Sequence, residues 1–551
     1  MDNFTVSLVA TLLILTAYFV YTRPRGSVSY LRGPVKPSFM LGHMHELRND
    51  VEVGELEFSW AREYGPTFQI GGCFGTDVVF LADPKGLQYV MQTAAYHFRK
   101  PSDVIETTSL LLGRGILSVE GQTHQRHRKV MNPAFTAQQL RTFLPLFQRS
   151  ASRLTQKWKN EIHDGSREFN VVRWLARLTL DALGDAAFDY RFGALDNASN
   201  ELAKSFSTLV TDTGVRMSKA AILFRSLLKH LPSPFLKLLM ILPTPSFRRF
   251  SQFRILSQNI ASGLIRDKAS VVSIDSTSRD VLSILARSNQ AEDEKKRLDE
   301  DEVLSQMASV HQRLGFEPCL IKRLCRTLML AGHETTAQTL TWLLYELAKN
   351  PDDQRKIRDE IQSLRARCEN GEDFTITDLD SLLYTTACVK EVLRVHPIVP
   401  TLSRVAGRDE VIPLQTAVTS TTGEPINEVI VKKGQEIFIG ISVYNRLPTV
   451  WGDDADQWRP SRFLEGREKQ ASVGVFANLM TFSAGIKACI GWRFAMIELQ
   501  AMVVELVENF QFELPDGGDQ VLRVPAGLML PMVKGKMEQG TLMPLKVSVV
   551  Q

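Results

Sequence analysis

Residues 482–491 read FSAGIKACIG and run directly into WRFAMIELQAMVVELV at 492–507. The second stretch has the apolar spacing of a helix, so Cys489 sits in a short, glycine-bounded loop just ahead of a helix N-terminus. Unpaired amides and the positive end of the helix dipole stabilise a thiolate in that place. Gly485 and Gly491 let backbone approach a flat group closely. The plain alternative is a buried structural cysteine, a common state of a free thiol. The other five cysteines, Cys73, Cys319, Cys325, Cys368 and Cys388, complete no CxxC pair. Six cysteines in 551 residues are too few to staple the chain, so free thiols in a reducing compartment are expected.

Composition fits a folded enzyme: 44% hydrophobic residues supply a large core, and 23% charged residues are ordinary. The net charge of +4 lacks the concentrated basic stripe of a nucleic-acid protein, so no nucleic-acid partner is expected. Helical patterns dominate. ELAKNPDDQRKIRDEIQSLRARC is an amphipathic stretch interrupted at Asn350-Pro351, while strand-like segments are short: Pro66 to Ile70, Asp77 to Leu81 and Glu436 to Ser442. This predicts a mainly α fold with a small β portion.

Phe4 to Tyr21 reads FTVSLVATLLILTAYFVY, with no charge and just enough length to span a bilayer. A cleaved signal peptide would want positive charge before the run, but Asp2 precedes it and Arg23, Arg25, Arg32 and Lys36 follow. The expectation is a single N-terminal transmembrane helix (1–22), a Pro/Gly-rich linker (23–45) and one catalytic domain (46–551), with the domain facing the cytosol. On that topology Asn3-Phe4-Thr5 is a lumenal sequon that makes Asn3 a candidate for N-glycosylation, and Asn197-Ala198-Ser199 is cytosolic and silent.

FSAGIKACIG resembles the haem-binding loop of the cytochrome P450 superfamily, F-x-x-G-x-(R/H/K)-x-C-x-G. Phe482, Gly485, Lys487, Cys489 and Gly491 fill its positions. The resemblance implies that Cys489 is the iron ligand of haem b (iron protoporphyrin IX). Lys487 stands where Arg or His is commoner, keeping the charge for a haem propionate but losing the bidentate fork.

Partner motifs follow in the family's order. Glu391 and Arg394, in KEVLRVHP, are three apart and share a helix face. An ordinary surface ion pair is the plain reading, and such pairs contribute little. The family's ExxR pair is instead buried and completed by an Arg in a P-x-R-F turn, here Arg462 of Pro460-Ser461-Arg462-Phe463. That set is implied to be structural, holding the haem loop.

The segment LMLAGHETTAQTLTWLLYELA resembles the family's oxygen-activation helix, A-G-x-(D/E)-T-T, at 331–336. Ala331 and Gly332 are small enough for close passage over a cofactor. Thr335 lies four residues after Ala331, so its hydroxyl can bond that carbonyl and open a local bulge. Glu334 and Thr335 are the candidate proton relay. A buried helix with a polar pair is the plain alternative, and His333 is set aside as a metal ligand once the cysteine motif is present.

Looser matches complete the picture. EGQTHQRHRKVMNPAF resembles helix C of the family, with Arg128 at a propionate-binding position and His124 where Trp is usual. Arg404 matches a further propionate contact. Arg126, Arg128, Lys129, Lys487 and Arg493 would add positive charge on the Cys489 side, suited to an acidic NADPH-dependent flavoprotein reductase or simply a solvated face. The resemblance spans about residues 30–551, is nearest to fungal microsomal members, and implies an endoplasmic reticulum membrane enzyme that inserts one atom of O2 into a lipophilic small molecule. Competing functions are a haem-thiolate isomerase or dehydratase, which commonly lacks the acid–Thr pair, and a non-catalytic haem-binding protein. Expected apolar lining comes from Leu110 to Leu112, Ile116, Phe235 to Leu242 and Leu528 to Leu530.

One segment departs from the pattern. ASVHQRLGFEPCLIKRLC, 308–325, separates DEDEVLSQM from the catalytic helix, and Gly315 with Pro318 would interrupt a helix there. Removing it restores a continuous amphipathic helix. It reads as a retained intron or a genuine loop insertion, which transcript sequencing separates.

Overall fold

The computed structural model describes residues 28–49, 52–112, 114–197, 200, 215, 217–229, 252–253, 255–256, 280–281, 284, 324–368, 373–466, 472–517 and 520–550. Seven helices carry the argument: α1 Gly121–Met131, α2 Leu144–Glu161, α3 Val171–Leu183, α4 Leu324–Lys349, α5 Pro351–Arg365, α6 Leu383–Val395 and α7 Trp492–Asn509. The 26 residues of α4 span about 39 Å at 1.5 Å each. It packs along α3 and also meets α6 and α7, so it runs through the centre of the main core. Its end is chemical: the Asn350 N–H caps on the Glu346 carbonyl at 3.0 Å, and Pro351 then opens α5, where its missing N–H costs nothing. α5 buries Ile357, Ile361 and Leu364 on one face and leaves its charged face in solvent.

The β portion sits to one side. Strands β1 Thr67–Gly71, β2 Asp77–Leu81, β3 Phe98–Arg99, β4 Thr401–Ala406 and β5 Glu436–Gly440 form a sheet in the order β1-β2-β5-β4-β3. The β2–β5 pair is parallel and the others antiparallel. The sheet has its own apolar cluster, including Phe68 stacked on Phe80 at 4.7 Å. The third expected strand stops at Gly440, because Ile441–Tyr444 turns into a helix. Strands the sequence pattern did not reveal include the hairpin Glu410–Thr419/Pro425–Val431 and the polar Ser166–Asn170, whose partner Pro544–Val549 lies at the far end of the chain.

The fold is therefore α-rich with a small β part, but the expected transmembrane helix is corrected. Among the described residues no helix is long and apolar enough to cross a membrane. The long helices are core helices with buried polar groups: α4 carries His333, Glu334 and Glu346, and α7 carries Glu498. The anchor segment Phe4–Tyr21 and Asn3 lie outside the described residues. Membrane attachment, endoplasmic reticulum placement and the cytosol-facing topology rested on that helix and are withdrawn with it. The segment 308–323 and the stretch Phe235 to Leu242 also lie outside the described residues, and α4 begins at Leu324.

Buried histidines give the fold a pH dependence. His396 Nε2 lies 2.8 Å from Glu346 Oε1, stacked on Trp342, and burial holds the imidazole down at about 4. Burial, with Arg126 nearby, holds His127 at about 3. An imidazole depressed in the fold takes its proton more readily in the unfolded chain, whose histidines titrate near 6.5. Stability is then full above about pH 6.5 and falls as pH drops toward 4. Thermal midpoints measured from pH 8 to 5 should fall on the acid side, and His396→Asn should flatten part of that slope. An unchanged slope in His396→Asn would remove His396 from the account.

Candidate functional site

The loop ahead of α7 is tied at both ends. The Cys489 N–H donates to the Phe482 carbonyl at 2.8 Å, and a short 3₁₀ turn, Gly485–Lys487, fills the space between. Gly485 has φ +62°, and a Cβ there would meet the Met91 carbonyl oxygen at 2.1 Å. Its glycine requirement thus comes from the neighbouring backbone turn rather than from a flat cofactor. Around Gly491 the nearest foreign atom is Phe135 Cε1 at 3.8 Å, so that side is open. Burial pushes the Cys489 thiol up, while the Gly491 N–H and the Arg128 guanidinium pull it down. Deeply set as it is, Cys489 still keeps exposed surface, so its sulfur faces an internal space.

A second network supports the loop from behind. Arg394 makes a fork onto Glu391, Nε to Oε2 and Nη2 to Oε1 at 2.8 Å each, and also donates to the carbonyls of Asn445, Ala455 and Gln457. Arg462 Nε donates to Glu391 Oε1 at 3.0 Å, with further bonds to Trp451 O and Asp454. Glu391 and Arg394 are 0% exposed, which separates them from a surface pair. Asn445 carries the connection forward: it accepts from Met480 N–H at 3.0 Å and donates to Thr481 Oγ1 at 2.8 Å, immediately before Phe482. Asn445 and Thr481 stand in no motif, so sequence reasoning missed them.

Two of the three predicted propionate cations, Lys487 and Arg404, converge on one carboxylate, Glu120. Lys487 pairs with it at 2.5 Å and also donates to Phe98 O. Lys100 and Arg404 lie beside it, and Lys100, Lys487 and Arg128 all bear on His124. Burial lowers Lys100 to about 8 against the opposing pull of Glu120, and burial holds Arg404 below its ordinary value. Arg128 donates to the Ala488 carbonyl inside the cysteine loop. His124, where the motif departs from Trp, is buried with Nδ1 3.1 Å from the Tyr96 hydroxyl. Lys100 and Glu120 were not among the sequence candidates; only spatial convergence marks them.

On α4, Leu328, Ala331 and Thr335 share one face, and Ala331 is exposed although the helix lies in the core. That face borders a space. The Thr335 hydroxyl donates to the Ala331 carbonyl at 2.7 Å, yet α4 continues as one α-helix, because this bond adds to the backbone ladder without replacing a rung. Gly332 does not face the same space: a Cβ there would meet Leu183 Cδ1 of α3 at 2.9 Å. Glu334 turns away from Thr335, as successive helix residues must. Its Oε1 lies 3.5 Å from His333 Nε2 and its Oε2 3.5 Å from Gln338 Nε2. Burial raises its carboxyl, but His333 and Gln338 outweigh burial and hold it below the usual range. Of the expected lining, Leu111 and Leu528 keep exposed surface, whereas Leu112, Met529 and Leu530 are packed into the core.

An α-rich fold with a lateral sheet, a cysteine loop backed by a buried Glu–Arg–Arg set and a Thr-bearing central helix define a haem-thiolate oxygenase. The cytochrome P450 family model matches residues 32–538, and the chain belongs to that family. It is similar to cytochrome P450 monooxygenase 205 of Postia placenta, 32% identical with 94% of this chain and 92% of the relative covered. It also resembles cytochrome P450 monooxygenase 128 of the same fungus, 31% identical over 98% and 96%, and a ganoderic acid synthetase of Ganoderma lucidum, 29% identical over 82% of each. The chain is a haem-thiolate monooxygenase that oxidises small lipophilic molecules with O2 and uses haem b. The residues present fit that group. A thiol faces an internal space, and Lys100, Arg128, Arg404 and Lys487 leave positive charge in excess over Glu120 near the cysteine loop, which suits a group that carries two carboxylates.

Proposed function

We propose that Cys489 is the iron ligand and that Lys100, Arg128, Arg404 and Lys487 receive the haem propionates. Phe482, Gly485 and Gly491 shape the loop that presents the thiolate, and Glu391, Arg394 and Arg462 hold that loop through Asn445 and Thr481. The catalytic unit is the single stretch from about residue 46 to 551. The observation that carries the reading is the Cys489 sulfur: deeply set, facing an internal space, and ahead of a helix N-terminus. Bound haem supplies the redox chemistry that activates O2; the protein supplies position and protons. Reducing the protein under carbon monoxide tests the ligand. A difference spectrum of an imidazole-ligated haem would end the thiolate assignment.

Thr335 presents its hydroxyl on the open face of α4, and Glu334 is the ionised carboxylate behind it. The Glu334 contacts at 3.5 Å are at the limit of hydrogen bonding and are readily exchanged. Proton delivery therefore has Glu334 leave His333 and Gln338 and reach Thr335. Thr335→Ala should retain haem and the carbon monoxide spectrum but release several-fold more hydrogen peroxide per NADPH, about the size expected for losing a positioned proton donor. An unchanged peroxide yield would take the relay role from Thr335. Electrons come from an NADPH-dependent flavoprotein reductase. Exposed Lys129 and Arg493 support a docking face for an acidic donor, whereas Arg128 and Lys487 are engaged inside the protein and do not contribute to it.

A further inference from the structure

Glu120 stands at the N-cap of α1, yet its side chain bonds no amide of that helix. Ser, Thr, Asp and Asn are the usual capping residues, so nothing local calls for a glutamate at this turn. Its oxygens go to distant groups instead. Oε1 accepts from the Lys100 N–H at 3.1 Å, Oε2 accepts from Lys487 Nζ at 2.5 Å, and Lys100 Nζ lies 4.0 Å from Oε1. The Lys100 ammonium already donates to the carbonyls of Ile116, Leu117 and Val119, so it serves the site by its charge. Lys487 is 4% exposed, and its second bond goes to Phe98 O at 3.1 Å. An ammonium has three N–H donors, so one is left for anything else. Arg404 is 5% exposed. Its guanidinium donates to the Ser403 carbonyl at 2.8 Å, and Glu120 is the acid that supports its charge.

Three cations thus lean on one carboxylate. Lys487 and Arg404 both bear unfavourably on Lys100, and Arg404 bears unfavourably on Lys487, so Glu120 stabilises a set that would otherwise repel itself. A haem brings two further carboxylates to the same cations. Three carboxylates then share three cations, and Glu120 repels both newcomers while it holds a charge-assisted bond from Lys487. We propose that Glu120 is a built-in competitor of the haem propionates for Lys487, a resident anion that loosens the protein's hold on its cofactor while it stabilises the cation cluster. The sign of its effect is what sets Glu120 apart from its partners. Each cation tightens the cofactor, whereas Glu120 weakens it. Arg128 stands outside the competition, since its guanidinium is turned to the Ala488 carbonyl in the cysteine loop.

The inference rests on the propionate reading above, and the test keeps the two apart. Full-length ferric holoenzyme is mixed with excess apomyoglobin, which captures released haem, and the transfer is followed by absorbance; neither substrate nor turnover is needed. Arg404→Gln should speed haem loss, which checks the propionate reading itself. Glu120→Gln keeps the size of the side chain and removes its charge, so haem loss should slow about tenfold, the low end for a close charge pair. A purely structural anchor ahead of α1 predicts the reverse, because losing an anchor loosens the cofactor. Unchanged or faster loss in Glu120→Gln overturns the proposal. If that variant fails to load haem, Glu120→Asp supplies a second arm. The shorter carboxylate at an N-cap turns to the amides of its own helix and draws away from Lys487. Its haem loss should also be slower than the parent's, and parent-like or faster loss overturns the proposal equally. Faster loss in Arg404→Gln beside an unchanged Glu120→Gln rejects Glu120 alone, whereas parent-like loss in Arg404→Gln removes the propionate reading and this proposal with it.

Discussion

Cys489→Ala should give a folded chain with no thiolate-ligated haem and no monooxygenase turnover. The substitution removes one sulfur at an internal face and leaves the loop geometry in place, because the loop is held by the Cys489 N–H on Phe482 O and by the Ala488 N–H on Gly485 O, both backbone bonds. The surrounding cations stay, so haem retained by its propionates alone is the competing outcome to be measured, and it would show no thiolate signature. Far-ultraviolet circular dichroism and the reduced carbon monoxide spectrum on the same sample separate loss of the ligand from loss of the fold. A thiolate spectrum surviving in Cys489→Ala would move the ligand to another cysteine; Cys73, Cys368 and Cys388 are also free, and Cys73 and Cys388 are buried.

The second large effect is expected at Arg394. Arg394→Ala would remove both arms of the fork on Glu391 and three bonds to backbone carbonyls. Arg462 would remain, but with its single Nε bond to Glu391 it cannot replace the fork. Breaking a buried ion pair by deleting one partner costs about 3–5 kcal/mol. Against a typical stability of about 5–15 kcal/mol, that is a large share of the total. The damage should reach the cysteine loop, since Arg394 holds Asn445 O and Asn445 holds Met480 and Thr481. The expected result is a denaturation midpoint well below the parent's and little haem incorporated. Arg394→Lys keeps charge but not the planar fork and should fall between the two. Parent-like haem content in Arg394→Ala would show that the loop does not depend on this network.

What the sequence made legible was local. Glu391 and Arg394 are one helical turn apart, so their meeting follows from helix geometry. The Thr335 hydroxyl on the Ala331 carbonyl is likewise an i to i−4 bond, and the Cys489 loop is read from one continuous stretch. The Asn350-Pro351 break and the α-rich, β-poor balance were also visible, through residue type and periodicity. The transmembrane expectation went the other way: it was drawn from one apolar run, and no described helix supports it.

The motif roles shifted where segments distant in the chain meet. Lys487 pairs with Glu120, 367 positions away, and Gly485 is required by the Met91 carbonyl. Gly332 is required by Leu183 on α3 rather than by the space beside Ala331. Glu334 and Thr335 are adjacent in sequence but point apart, and the buried carboxyl beside Thr336 is Glu498 of α7. By itself the sequence determined the family, the helical class and the chemical types available at the site, because those follow from residue identity and short-range spacing. The tertiary structure alone decided that burial raises the Glu498 carboxyl while His333 and Gln338 lower that of Glu334, and which cations remain for a cofactor. Those properties are set by burial and by neighbours that no local periodicity encodes.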